Sequence, residues 1–320
     1  MRKKVVAGID IGGTNTRIGL VDQAGEVLTD SNIATDQYSS VEGYISAIYN
    51  SIEILLKNPD MPLSELIGIG IGAPNANYHT GCIEKAVNLP WSDVPLASML
   101  GANFPGVTIK VTNDANAVAI AEMVYGNAKD LKDFVVITLG TGLGSGIVAN
   151  GELIYGHDGL AGEVGHITAV PDGRACNCGR KGCLETYVSA PGIKRTVFEL
   201  LANSTGKSVL RGSSFDELTA KDIHAAALNN DSIALKAFEI TGKILGRSLA
   251  DVVAFTSPAA IFIFGGLAEA KEMILNPAKE YMEKYLLGCF KNKVHVEPSA
   301  LGNKDAGIIG GAALIWKDFI

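Results

Sequence analysis

One local pattern occurs twice, at the head of each half of the chain, and it restricts the fold more than any other feature. Val5 to Ile11 reads as a strand, Gly12-Gly13-Thr14-Asn15 as a glycine turn and Thr16 to Asp22 as a returning strand. After Gln23-Ala24-Gly25, a third strand begins at Glu26-Val27-Leu28. The same grammar returns at Phe134: Val135 to Leu139, the turn Gly140-Thr141-Gly142-Leu143-Gly144, then Ser145 to Ala149, Asn150-Gly151 and Glu152-Leu153-Ile154. Two such strand–turn–strand–turn–strand openings predict two similar α/β domains facing one another across a cleft. At 320 residues the chain exceeds the usual single compact unit, and its 47% apolar content can fill two cores.

Apolar residues at Val41, Tyr44, Ile45, Ile48, Ile52 and Leu55 follow helical spacing, so 40–57 is expected to be a helix. Ile67 to Ile71 reads as a buried strand ending at Gly72-Ala73-Pro74, and Val107 to Thr112 as another. Helices are expected over 115–125, 191–203, 220–228 and 232–255, the last broken near Gly246. A short strand at 261–264 and a closing helix over 306–320 complete the pattern. The charged stretch Glu269 to Glu283 reads as a solvated helix face. The last helix is free to return to the first domain, which gives a smaller N-terminal domain of 1–115 plus 304–320. A larger C-terminal domain then spans 116–303.

Glu163-Val164-Gly165-His166 is followed by Cys176-Asn177-Cys178-Gly179-Arg180-Lys181-Gly182-Cys183-Leu184-Glu185. One histidine and three of the chain's five cysteines thus fall between 166 and 183. His166, Cys176, Cys178 and Cys183 suit a tetrahedral Zn2+, and four protein ligands leave no open position for a catalytic water. A structural zinc loop at 166–183 is expected, with Glu163 and Glu185 left over as hydrogen-bonding carboxylates at its ends. If one His166 nitrogen binds the metal, the other is free to hydrogen-bond.

Asp10 ends an apolar strand before Gly12, Gly13, Thr14 and Asn15. The glycines admit backbone amides close to an oxyanion, and Thr14 adds a hydroxyl donor. A tight hairpin with a solvated aspartate is the plain alternative. Thr141 and Gly142 lie in the second turn, which offers the same chemistry, so a phosphate held between the domains is expected. Asn113-Asp114 precedes a helix at a strand end, where either residue is a good N-cap. In a cleft lined by phosphate turns, Asp114 could also take the proton of an attacking hydroxyl. Gly265-Gly266 after the 261–264 strand, and Gly310-Gly311, read as close-packing glycines, the first pair alternatively as flat room for a purine.

The formal charge of −7 and pI near 5.3 argue against a nucleic-acid surface. No segment reaches the length of an apolar membrane span. The opening Met1-Arg2-Lys3-Lys4 superficially resembles a signal peptide, but Asp10 and Gly12-Gly13 interrupt the apolar run. Cys82 and Cys289 are left as unpaired thiols, which fits a reducing cytoplasm. Gly206-Lys207-Ser208 lacks the glycine five residues earlier that a Walker loop needs, and no strict Gly-x-Gly-x-x-Gly follows a strand.

At these residues the chain resembles the ROK family of sugar kinases and sugar-responsive repressors. The resemblance rests on Asp10-Ile11-Gly12-Gly13-Thr14, Asn113-Asp114-Ala115-Asn116-Ala117, Leu139 to Gly144, Gly162 to His166, and Cys176 to Glu185, and it covers nearly the whole chain. It implies a two-domain α/β fold of the actin-like ATPase (ribonuclease H-like) kind with an interdomain cleft. It further implies ATP-dependent phosphorylation of the 6-hydroxyl of an aldohexose. Asp114 becomes the catalytic base, and Asn75, Asn88, Asn113, Asp114, Glu163, His166 and Glu185 the sugar-binding set. Asp10, Gly12, Gly13, Thr14, Asn15, Thr141, Gly142, Gly265 and Gly266 become the ATP and Mg2+ set, Asp10 acting through water. His166 joins Cys176, Cys178 and Cys183 on zinc. Gly182 to Thr186 with Ser189 to Ile193 is most similar to the glucokinase branch, so glucose is the expected sugar. Mannose, fructose, N-acetylglucosamine and N-acetylmannosamine remain alternatives. Many relatives have Gly-x-Pro-Gly near the sugar where this chain has Gly72-Ala73-Pro74-Asn75, so Asn75 could add a sugar contact. A homodimer without nucleic-acid or membrane partners is expected. The repressor branch carries a DNA-reading module before the first strand, and here only four residues precede Val5; a non-catalytic sugar-binding module is a third reading.

Overall fold

The computed structural model describes residues 3–59, 64–85, 89–302 and 305–319. The chain divides into two units, one of residues 1–132, 151–161 and 300–320, the other of residues 133–150 and 162–299.

In the first unit β1 (Lys3–Ile11), β2 (Asn15–Val21), β3 (Val27–Ala34), β4 (Ser64–Gly72) and β5 (Thr108–Thr112) form a sheet of order β3-β2-β1-β4-β5. β1, β2 and β3 pair antiparallel through the two turns, while β4 and β5 add in parallel. Side chains alternate across a strand, so Val5, Ala7, Ile9 and Ile11 of β1 face one way. They pack against Tyr44, Ile45, Ile48, Ile52 and Leu55 of helix α1 (Val41–Leu56). Ser40 starts this helix by accepting from the Gly43 amide at 3.1 Å. A short helix α2 (Leu96–Asn103), not expected from the sequence, adds Leu96 and Leu100 to the same core.

The opposite face of β1 holds Val6 and Gly8 and is covered by the last helix. Helix α3 (Asp114–Tyr125) lies in the first unit, α4 (Ala190–Ala202), α5 (Ala220–Leu228), α6 (Ser232–Thr256) and α7 (Glu272–Tyr285) in the second, and the chain returns to the first with this last helix, α8 (Ala306–Trp316). Ile308, Ala312, Ile315 and Trp316 of α8 pack on Val6 and Val21. The approach is close enough that a Cβ on Gly70 would fall 1.9 Å from the Gly311 carbonyl oxygen, which explains the Gly310-Gly311 pair as close packing. α3 packs on α8 and β4. It therefore belongs to the first unit, and the division at 115/116 expected from the sequence gives way to one at 132/133. The return lies at 299/300 instead of 303/304, and the two units are of nearly equal length.

β6 (Phe134–Leu139), β7 (Leu143–Ala149), β8 (Glu152–Leu153), β9 (Ala260–Phe264) and β10 (His295–Pro298) make a second sheet of order β10-β9-β6-β7-β8. Again a glycine-turn hairpin, β6–β7, carries a parallel neighbour, β9, on its other side. In the second unit Val135, Ile137 and Leu139 join a core completed by α4 to α7. The break expected near Gly246 does not occur, for α6 runs unbroken. Gly246 serves the α6–α7 contact, since a Cβ there would lie 2.2 Å from the Ala278 carbonyl oxygen. The charged segment at 269–283 has a solvated face, but its other face, Ile274, Leu275, Ala278 and Met282, is buried. Among the described residues no helix is long and apolar enough to cross a membrane.

Candidate functional site

In the first unit Asp10 follows Val6 and Gly8 on the α8 face of β1, opposite Arg17 in the antiparallel register. α8 begins against it: a Cβ on Gly307 would sit 2.2 Å from Asp10 Oδ2, so only a glycine leaves that carboxylate its place. Burial raises the Asp10 carboxyl above its ordinary range, the negative charge of Asp114 raises it further, and Arg17 opposes both. The turn after it closes through the Gly12 amide donating to the Asn15 carbonyl at 2.9 Å. Beneath it the Thr16 hydroxyl bonds those of Thr35, at 2.8 Å, and Tyr44. Thr14 and Asn15 are exposed, with Asn15 Oδ1 accepting from Asn32 Nδ2 at 3.1 Å.

Asn113 is the N-cap of α3, its Oδ1 accepting from the Ala115 amide at 2.8 Å, and Asp114 Oδ1 accepts from the same amide at 2.8 Å. The capping role is thus real, and it leaves the Asn113 NH2 and the second Asp114 oxygen for other partners. Solvent reaches Asp114, yet protein crowds it on most sides. Desolvation accordingly raises its carboxyl, and the Ala115 amide only partly offsets this. The end of β4 lies alongside, because the Ala73 amide donates to the Thr112 carbonyl at 3.0 Å. Asn75 stands in the left-handed region at φ 53°, where asparagine substitutes for glycine at small cost. Its Nδ2 donates to the Lys85 carbonyl at 3.2 Å, so the carboxamide holds its own loop. Asn88 lies outside the described residues.

In the second unit the turn from Gly140 to Gly144 closes through the Gly140 amide and the Gly142 carbonyl at 3.0 Å, with Thr141 exposed. Glu185 Oε2 accepts from the Leu143 amide at 3.0 Å, and a Cβ on Gly142 would come within 2.4 Å of that oxygen. The metal loop is thereby joined to the glycine turn. Gly265 has φ 104° and presses on β6, a Cβ falling 2.5 Å from the Leu139 carbonyl oxygen, whereas one on Gly266 would meet nothing within 4 Å. Gly265 is therefore demanded by the fold. Gly266 is not.

The donor atoms of His166, Cys176, Cys178 and Cys183 lie within 4.8 Å of one another. Cys178 and Cys183 sulfurs are 3.6 Å apart. Tetrahedral zinc with Zn–S bonds of about 2.3 Å requires roughly 3.8 Å between sulfurs, so the set fits. The imidazole is split as the chemistry asks: Nδ1 is 3.8 Å from Cys176 Sγ, and Nε2 is 4.0 Å from Glu163 Oε2. Nδ1 faces the thiols and Nε2 faces a carboxylate. Desolvation at the exposed Cys178 is outweighed by hydrogen bonds that lower its thiol, whereas burial raises that of Cys176, and burial with the neighbouring Cys178 and Cys176 pushes the Cys183 thiol up to about 12. A divalent cation in their midst removes that penalty.

Sequence reasoning passed over Gly307 and Arg174. Gly307 carries no local signal, since its requirement comes from Asp10 on a distant strand. Arg174 reads as an ordinary basic loop residue until its acceptors are seen.

Residues 6–318 match the ROK family. The glucokinase of Halalkalibacterium halodurans is 37% identical over 98% of this chain and 96% of that protein. The crystal structure of a ROK family glucokinase from Streptomyces griseus in complex with glucose and AMPPNP superposes with a TM-score of 0.79 at 32% identity, covering 97% of this chain and 98% of that one. The N-acetylglucosamine repressor of Escherichia coli O157:H7 is 29% identical over 97% of this chain, which spans 75% of that protein.

Proposed function

The chain belongs to the ROK family, and from that premise we propose that it is a glucokinase, transferring the terminal phosphate of ATP to the 6-hydroxyl of glucose. The fold is that of the actin-like ATPases, shared with ROK sugar kinases. One observation carries the reading: glucokinase relatives match over essentially the full length at 32–37% identity, and one of them was crystallised with glucose and an ATP analogue.

Asp114 is the base in this reading. A carboxylate whose pKa is raised, fixed at a helix start by the Ala115 amide, is a better proton acceptor than a solvated aspartate. Asn113, Glu163, His166 and Glu185 bind sugar hydroxyls, with Asn75 and Asn88 at the edge of the set. Carboxylates accept from hydroxyls, and the Asn113 NH2 donates to one. Asp10 is the residue that would hold Mg2+ through water, the ion supplying charge neutralisation at the phosphates. The amides of the turns at 12–15 and 140–144 cradle phosphate oxygens, and the open face of Gly266 beside Gly265 admits the purine. His166, Cys176, Cys178 and Cys183 hold a structural zinc that sets the position of Glu163 and Glu185. We further propose a homodimer and a cytoplasmic location, in which Cys82 and Cys289 stay reduced.

The repressor reading is weaker in identity and in the share of the relative covered. ADP release measured with ATP and each of glucose, mannose, fructose, N-acetylglucosamine and N-acetylmannosamine decides the matter. Glucose is expected to give the highest kcat/KM. Turnover with none of the sugars would sink the kinase reading, and a preference for another sugar would replace glucose.

A further inference from the structure

The loop bearing the metal ligands has a second fastening that needs no metal. Arg174, between His166 and Cys176, has a side chain only 10% exposed and lies over the Tyr187 ring at 4.4 Å. Its Nη1 donates to the Thr186 carbonyl at 2.7 Å and the Gly192 carbonyl at 3.0 Å. Its Nη2 donates to the Thr196 hydroxyl at 2.9 Å and Glu199 Oε2 at 2.6 Å, and its Nε to Glu199 Oε1 at 2.9 Å. The backbone joins in: the Arg174 amide donates to the Tyr187 hydroxyl at 2.9 Å, and its carbonyl accepts from the Gly182 amide at 2.8 Å.

All three guanidinium nitrogens therefore have acceptors, as a buried cation requires. The acceptors come from beyond the metal loop, namely the turn at 184–186 and helix α4 from Gly192 to Glu199. Glu185 is the middle residue of that turn, and its Oε2 rests on the Leu143 amide. Holding the Thr186 carbonyl fixes the 186–187 peptide, one residue beyond Glu185. The other arginine of the loop, Arg180, is exposed and reaches only the His166 carbonyl and the Thr168 hydroxyl.

We infer that Arg174 is a positioning residue for Glu185, fixing that carboxylate for the sugar through contacts that add to those of the metal loop, where Cys176 Sγ lies 3.8 Å from Glu185 Oε1. The inference deepens the glucokinase reading and rests on it for the identity of the ligand. Arg174→Lys keeps the charge and stem but not the fork that spans several acceptors. In the zinc-loaded protein it is expected to bind about one zinc per chain, as wild type does. The glucose KM should rise about tenfold while the ATP KM and kcat stay within about twofold. Arg174→Ala should show the same split, more strongly. Glu199→Ala removes only the arm to a side chain 59% exposed, and is expected to leave the glucose KM unchanged.

Hydrogen exchange at the Leu143 amide reads the placement of Glu185 without any sugar. It should quicken about tenfold in Arg174→Lys. Unchanged exchange with an unchanged glucose KM would overturn the inference, and so would a Glu199→Ala variant that reproduces the full KM rise. Joint deterioration of both KM values and kcat would likewise replace positioning by general damage. Wild-type protein inactive on glucose but showing the exchange difference would sink the glucokinase reading and leave the positioning role standing.

Discussion

At the scale of single residues, Asp114 pairs a chemical gain with a structural cost. Its carboxyl is raised in the fold by desolvation, so the folded state holds the proton more tightly than the unfolded chain does. The stabilising effect of the protonated form is present below the unfolded value of 3.8 and is lost as pH rises through the raised folded value. At neutral pH the ionised group therefore works against folding. Asp114→Asn should lower kcat by about 100-fold or more, because a carboxamide accepts no proton. It should also raise the urea midpoint at pH 7, since the penalty of the charge is gone. Near-normal turnover in that variant would remove Asp114 from the role of base. In wild type the acid limb of the kcat profile should fall above the ordinary aspartate range. The clustering of His166, Cys176, Cys178 and Cys183 was legible because ligand type and short spacing are local properties, and the place of Asp114 at a helix start because a strand-end acid before an apolar run is a local pattern. Arg174 was not, since its acceptors are mostly backbone carbonyls that only the folded chain brings together. Asn75 was legible only in part: spacing offered a sugar contact but not that its Nδ2 also braces its own turn through the Lys85 carbonyl.

At the scale of elements, Glu185 ties the turn at 184–186, to which it belongs, to the glycine turn through the Leu143 amide, and in the proposed reading this joins sugar and phosphate binding. Zinc removal by a chelator should therefore raise the glucose KM well before it lowers helical content by circular dichroism. Metal analysis of protein purified without chelator should give about one zinc per chain. Full activity in metal-free protein would contradict this. Strands β1, β4, β6 and β9 were legible because both faces are covered and the runs are continuously apolar. β10 was missed, being an edge strand of alternating exposure, and α2 because eight residues provide little periodicity. The glycines separate in a way that spacing never reveals. Gly70, Gly246 and Gly265 are required by close backbone contacts, whereas Gly140 and Gly266 face open space and answer to a ligand in the proposed reading.

At the scale of the whole molecule, the paired openings foretold two α/β units, but not that α3 would side with the first. That membership depends on packing against α8, some two hundred residues away in sequence. A chain ending at Asp305 should lose cooperative unfolding of the first unit and be cut rapidly within 1–132 by limited proteolysis, while 162–299 resists. Equal resistance in both regions would show that α8 is dispensable. The same discontinuity governs how the protein is made. β5 ends at Thr112 and α8 begins at Ala306, so at translation rates of about 5–20 residues per second the covering helix follows roughly ten to forty seconds later. Throughout that interval Val6 and Val21 wait without Ile308, Ala312 and Trp316. The nascent first sheet thus leaves the ribosome with one apolar face bare, a surface for holdase chaperones to bind, while the second unit can already close behind it.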